Sequence, residues 1–295
     1  MNRSTPLQRL AAVALSGALL LTACSGETQS TSAGGDEDKN VNIGYIAWDE
    51  NIANSFLWKE LLEQQGYTVT LTQLEVAALY SGVSQGQLDI FMAATPRTHE
   101  DYWAEFEDQF EVVGQWYDTL IQGVAVPDYV DMDTLEDLAA NPEAVGGQIV
   151  GIEPGTGLMR QLKDNAVSDY GLDGLKILDG STPAMLAALD KAITEEEPIA
   201  VTLWQPHWAF NKYPVQLLED TEGSFGENDT YKVIASKEFN GNTEVIDQLA
   251  RFHMEPEELE SLELTITEAG QGKEQEAVRE WIADNEDVVN EWTEG

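Results

Sequence analysis

Cysteine is almost missing from these 295 residues: Cys24 is the only one. An internal disulfide and a thiolate metal cluster are therefore both excluded. Histidine is scarce as well, with three residues far apart in the chain, and neither a His-Glu-x-x-His helix nor a Gly-x-Ser-x-Gly elbow occurs. Zinc hydrolysis and serine-nucleophile chemistry find no parts here, and the abundant carboxylates single out no pair for glycoside chemistry. The chain reads as a protein that is not an enzyme and carries neither metal nor cofactor. Positive charge is the third shortage, because 15 Lys and Arg face 54 Asp and Glu, a formal net charge of −39. Nucleic acid is thereby an unsuitable partner, since phosphate chains bind through Lys and Arg. The acid excess describes a solvated surface that stays soluble at high salt, where screening shortens the reach of self-repulsion, and it points to salty or alkaline surroundings.

Long apolar runs are equally rare. One follows Arg3 and Arg9, from Leu10 to Leu21, and closes on Leu21-Thr22-Ala23-Cys24. It is short for a bilayer span, and a small-residue motif ending in Cys is a processing site rather than a stop-transfer signal. Residues 1–23 are expected to be a lipoprotein signal peptide, with Cys24 the lipid-bearing first residue of the mature chain. Residues 24–40, rich in Ser, Thr, Gly and acids, read as a flexible tether. Together they predict a protein anchored by lipid at the extracellular face of the cell membrane.

What is present begins at Val41. A β-rich run to Ala47 is followed by Ile52, Phe56, Leu57, Leu61 and Leu62 at helical spacing, stopped by Gly66. Thr68–Leu74 reads as a strand, Ala77–Val83 as a helix and Asp89–Ala93 as a strand, so the opening is β-α-β-α-β. The pattern returns with strand Gln148–Ile152, helix Leu158–Tyr170, strand Lys176–Leu178, helix Ala184–Glu195 and strand Ile199–Leu203. Val124–Pro127 enters this second unit, Tyr231–Ile234 reads as its return strand, and an acidic helical tail from Thr243 packs back on the first. The fold class is α/β: two lobes, each a mostly parallel sheet flanked by helices, forming a clamshell. Lobe I takes residues 41–122 and 235–295, and lobe II takes 123–234. Ligands of such sheets bind in the cleft where the strands' carboxyl ends and the helix N-termini converge.

Four features fall at those ends. Trp48 follows the first strand, His99 the third, the turn Gly155-Thr156-Gly157-Leu158 opens a helix, and Trp204 ends the last strand of the second lobe. A quaternary ammonium has no N–H to donate, so it is held by aromatic faces, each worth about 0.5–2 kcal/mol. A carboxylate suits the unpaired Gly157 and Leu158 N–H groups at a helix start, with His99 as a side-chain donor. Trp58, Trp103, Trp116, Trp208, Trp281 and Trp292 read mostly as core, and His207 as structural. The small zwitterionic or cationic solute implied here competes with one bearing N–H donors, such as an amino acid or ectoine, which Asp49 or Glu50 beside Trp48 would serve.

The segments Gly44–Trp48, Pro96–Trp103, Gly151–Met159 and Trp204–Trp208 resemble, in order, those of glycine betaine/choline-type substrate-binding proteins of ABC importers. That resemblance implies a type II periplasmic-binding-protein clamshell with a permease and an ATPase as partners. In the betaine-binding branch three Trp residues surround the trimethylammonium group, while a His and two backbone N–H groups take the carboxylate. Carried over by position, these fall on Trp48 and Trp204, on His99, and on Gly157 and Leu158. The third Trp falls on Ala94, leaving a gap for water, a larger ligand or another aromatic, with Tyr45 and Phe91 the nearest substitutes in sequence. The implied ligand is glycine betaine or a bulkier relative such as proline betaine, carnitine or choline, and import and sensing share this architecture.

Overall fold

The computed structural model of this chain describes residues 39–239 and 242–294. The expected signal peptide, Cys24 and nearly all of the tether lie outside them, and the sheet begins one residue earlier than expected, at Asn40. The opening alternation is present: β1 (Asn40–Tyr45), α1 (Asp49–Gln64), β2 (Thr68–Gln73), α2 (Val76–Ser84), β3 (Ile90–Ala94) and the short α3 (Glu100–Phe106). β1 pairs in parallel with both β2 and β3.

The long strand β4 (Phe110–Pro127) then runs out of this group and into a second one. The second group begins with α4 (Leu135–Ala140), β5 (Gln148–Val150), α5 (Gly157–Arg160) and α6 (Val167–Tyr170). It continues with β6 (Lys176–Leu178), α7 (Thr182–Glu195), β7 (Ala200–Gln205), α8 (Ala209–Lys212) and β8 (Val215–Leu217). α5 and α6 are joined by a π-helical segment, Gln161–Ala166, so the single helix expected over 158–170 is wider in its middle. β5 is flanked in parallel by β6 and β7, and β4 joins antiparallel to β7 and β8.

β9 (Asp229–Ser236) departs from the sequence expectation. It lies antiparallel between β3 and β4, giving the order β2-β1-β3-β9-β4-β7-β5-β6. Tyr231–Ile234, expected to return within the second lobe, therefore pair within the first sheet. The reason is that β4 is long enough to serve two groups: Phe110 to Leu120 pair with β9, and Ile121 to Ala125 pair with β7. Three register shifts along the β4–β9 ladder bend the strand between the two.

The chain ends in α9 (Thr243–Arg251), α10 (Pro256–Ala269), α11 (Glu274–Asp284) and α12 (Glu286–Thr293). α10 and α11 lie against α1, which is thus covered on the side away from β1 and β2. This double covering explains why α1 buries Asn51, Asn54 and Ser55 together with Leu57, Trp58 and Leu62. Side-chain caps open two helices: Ser181 accepts from the Ala184 N–H at the start of α7, and a Thr134–Asp137 capping box opens α4. Trp58, Trp116, Trp281 and Trp292 are buried, and Trp116 stacks on Tyr231 and Phe252 while its N–H donates to the Met92 carbonyl at 2.6 Å. Among the described residues no helix is long and apolar enough to cross a membrane.

α9 crosses β4 at Gly114, where an added Cβ would lie 3.1 Å from the Leu249 carbonyl oxygen and 3.2 Å from the Ala250 Cα. Both are backbone atoms and cannot rotate away. Gly114→Val is expected to lower unfolding stability by about 1–3 kcal/mol through overpacking, measured by urea denaturation. An unchanged midpoint would show that α9 is free to shift on the sheet.

Candidate ligand-binding site

β1 ends at Tyr45, and three residues later Trp48 begins the turn into α1. β7 ends at Gln205 with Trp204 as its last buried residue. The two strands belong to different groups, yet Trp48 and Trp204 line one cavity. His99, Gly157 and Leu158 line the same cavity, so the five residues assigned from sequence converge.

Each indole N–H is held by a glutamate carboxyl oxygen from the opposite group. Trp48 Nε1 donates to Glu153 Oε2 at 3.4 Å, and Trp204 Nε1 donates to Glu50 Oε2 at 3.2 Å. Glu153 is fixed in turn by Thr182, whose N–H and hydroxyl both donate to it at 3.0 Å. Further bonds cross the same gap. Trp208 Nε1 donates to Asp49 at 2.6 Å, the Tyr102 hydroxyl to the Gly155 carbonyl at 3.1 Å, and Arg160 Nη2 to the Thr98 carbonyl at 3.1 Å. Trp208, read as core from sequence, is thus also a cross-gap donor. His207 keeps its structural reading: Nδ1 accepts from the Ala209 N–H at 3.1 Å, and Nε2 faces Asp49 at 3.3 Å.

Gly157 marks the tightest approach between the groups. A Cβ placed there would lie 1.8 Å from the Thr98 carbonyl oxygen, so no other residue permits this arrangement. Thr156 caps α5 by accepting from the Met159 N–H. The first-turn N–H groups of Gly157 and Leu158 have no carbonyl one turn earlier to bond.

His99 is buried and stacks on Trp48, with ring centroids 5.7 Å apart and planes at 19°. Burial first, and the nearby Arg160 charge second, push its imidazole down to about 3. It is therefore neutral at physiological pH. The Thr95 hydroxyl lies 2.7 Å and the Tyr80 hydroxyl 3.4 Å from Nδ1. Two hydroxyls at Nδ1 suit it as an acceptor, which we assign; the proton is then on Nε2, as a neutral donor.

Two cavity residues escaped assignment from sequence as cage components. Glu50 is fully buried, and burial, with the Asp49 charge adding to it, pushes its carboxyl up to about 8. Its Oε1 is buried without a hydrogen bond. Tyr231 of β9 sets its hydroxyl against the same carboxyl. The two substitutes proposed for the missing Trp are not there: Tyr45 packs edge-on against Phe56 and reaches Gln73, while Phe91 is buried against Tyr80. Neither lines the cavity. Sequence proximity misled because β3 is buried on both faces and Phe91 packs against α2. No local signal marks Tyr231, which arrives only because β9 inserts beside β3, setting Lys232 opposite Ala94.

Imidazole nitrogen shifts of His99 in heteronuclear NMR are expected to stay constant from pH 5 to 8, with the proton on Nε2, because the neutral form persists down to about 3. A titration midpoint inside that range would contradict the desolvated setting.

Residues 39–284 match the OpuAC family, the substrate binding domain of ABC-type glycine betaine transport systems. GbuC, a glycine betaine/carnitine transport binding protein of Listeria monocytogenes, is 32% identical over 166 residues, 55% of this chain and 53% of that protein. The aligned region thus spans about half the length of that relative. Lactococcal OpuAC, in a closed-liganded conformation complexed with glycine betaine, superposes with a TM-score of 0.79 at 30% identity, covering 87% of this chain and 100% of that one. The glycine betaine/L-proline-binding protein ProX of Borrelia burgdorferi gives 0.79 at 25% identity, covering 86% and 96%. The architecture is that of the type II periplasmic binding proteins, as the sequence led one to expect. This chain therefore belongs to the OpuAC family of substrate-binding domains.

Proposed function

We propose that this chain is the solute-binding subunit of an ABC importer and that it captures a quaternary-ammonium compatible solute, glycine betaine first among them. The observation that carries this is the convergence of Trp48 and Trp204, from different groups of strands, on one cavity with His99 and the first N–H groups of α5. Indole faces attract a methylated ammonium by their quadrupole, which needs no hydrogen bond from the ligand. His99 Nε2–H and the Gly157 and Leu158 N–H groups take the carboxylate, and a neutral imidazole suits this because it donates without the desolvation cost of a buried cation. The solute then bridges the two groups and favours their closed arrangement, which a permease recognises.

Ala94 removes one aromatic wall of the family's cage, and Tyr231 on the adjacent strand takes that place in this proposal. A smaller ring and the Glu50 carboxyl beside it favour, as a second reading, a bulkier or net-cationic solute such as carnitine or choline. Uptake of either kind of solute serves osmoprotection. The remaining parts of the proposal are an ATPase and permease as partners, and a lipid on Cys24 that holds the protein outside the cell membrane.

Calorimetry across glycine betaine, proline betaine, carnitine, choline, proline and ectoine tests the reading. Trp204→Ala is expected to weaken the preferred ligand by at least about 30-fold, the loss of roughly 2 kcal/mol from a desolvated cation–π face. Unchanged affinity for every ligand bound would remove the cage. Gly157→Ala is expected to weaken binding by at least about 100-fold, since a Cβ at 1.8 Å from Thr98 blocks closure, while the ligand-free thermal midpoint stays near that of the parent. Parental affinity in that variant would show that binding does not need the close approach.

A further inference from the structure

Glu50 has no role in the carboxylate clamp, yet it is a fully buried acid in the wall of the cavity. Oε2 is occupied by the Trp204 N–H, whereas Oε1 is enclosed without a hydrogen bond. A buried carboxyl met only by neutral donors, the Trp204 N–H and the Tyr231 hydroxyl, costs free energy if it carries charge, and much less if it carries a proton.

The groups facing this carboxyl come from four elements. Asp49 precedes it on α1, Glu263 approaches from α10, Tyr231 from β9 and Trp204 from β7. Two are acids, two are neutral donors, and none of the groups acting on Glu50 is a lysine or arginine. His207, on the loop after β7, faces Asp49 rather than Glu50, and His99 is neutral. Among the described residues, the cavity wall thus holds an acid with no countercharge.

We propose that capture of a quaternary ammonium expels one proton from Glu50, so that binding exchanges H⁺ for the ligand cation. The inference rests on the cage reading above and specifies its proton balance. The Oε1–H bond breaks, its electron pair stays on the carboxylate, and the proton leaves to solvent. The ligand nitrogen carries four carbon substituents and takes up no proton. Cation and carboxylate then neutralise each other inside the cavity, which neither does alone.

The ligand-free carboxyl, at about 8, is protonated at neutral pH, and an adjacent cation lowers it. The sign follows: the bound state holds fewer protons than the free state, so affinity rises with pH up to about 8 and levels off above it. Glu263 is also pushed well above the ordinary carboxylate range by burial, but it does not line the cavity. Its proton stays in place.

Titration calorimetry with glycine betaine and with choline, in buffers of differing ionisation enthalpy, reads the exchange directly. At pH about 6.5 the slope of heat against buffer enthalpy is expected to give close to one proton released per ligand bound, falling to none above pH about 9.5. Glu50→Gln, which keeps an acceptor for Trp204, is expected to bind with no released proton. Binding by the parent without buffer dependence at pH 6.5 overturns the proposal and leaves the cage reading standing. Release that survives Glu50→Gln assigns the proton elsewhere and also overturns it. Binding of neither probe removes the cage reading itself, and the proposal with it. If Glu50→Gln does not fold, the parent's buffer series decides alone.

Discussion

Two buried indole N–H groups, each paired with a carboxyl group on the far side of the gap, are the constraint from which the rest of the site follows. Trp48 reaches Glu153, and Trp204 reaches Glu50. A buried donor without a partner costs about 1–3 kcal/mol, so each ring is oriented only while the opposite group supplies its acceptor. The two faces that line the cavity are therefore presented by closure itself. Gly157 against Thr98 sets how near the groups come, and the Trp208–Asp49 bond closes the far edge.

Electrostatics divide the molecule into a charged exterior and a largely uncharged cavity. The chain carries a formal net charge of −39, yet His99 is held neutral by burial and Glu50 is raised by it. A low-dielectric pocket magnifies every charge placed within it, so a site with few ionised walls responds strongly to one that enters. Local polarity, rather than overall charge, decides what the cavity accepts.

The alternation of period-2 and period-3.6 segments made the α/β class legible from Val41 onward, and the strand-end positions of Trp48, His99 and Trp204 made most of the site legible as well. What stayed hidden is non-local. β4 is an 18-residue strand whose exposed and half-buried residues follow no single alternation, because register shifts bend it between two partners. β9 read as a strand, but nothing in Tyr231–Ile234 states which neighbours it takes. Tyr231 was invisible as a cavity residue for that reason, and Tyr45 and Phe91 were misplaced because nearness in sequence does not fix the direction of a side chain. Glu50 was noticed only as a partner for a different ligand. Its burial depends on α10 and β9, which lie nearly two hundred residues or more further along the chain.

The central claim concerns where a methylated nitrogen sits, and a crystal structure with bound glycine betaine addresses it most directly. The account predicts the nitrogen between the Trp48 and Trp204 rings, within about 6 Å of both centroids, with the carboxylate against His99 Nε2 and the start of α5. A nitrogen seated away from either ring, or a carboxylate turned toward Glu50, would contradict it.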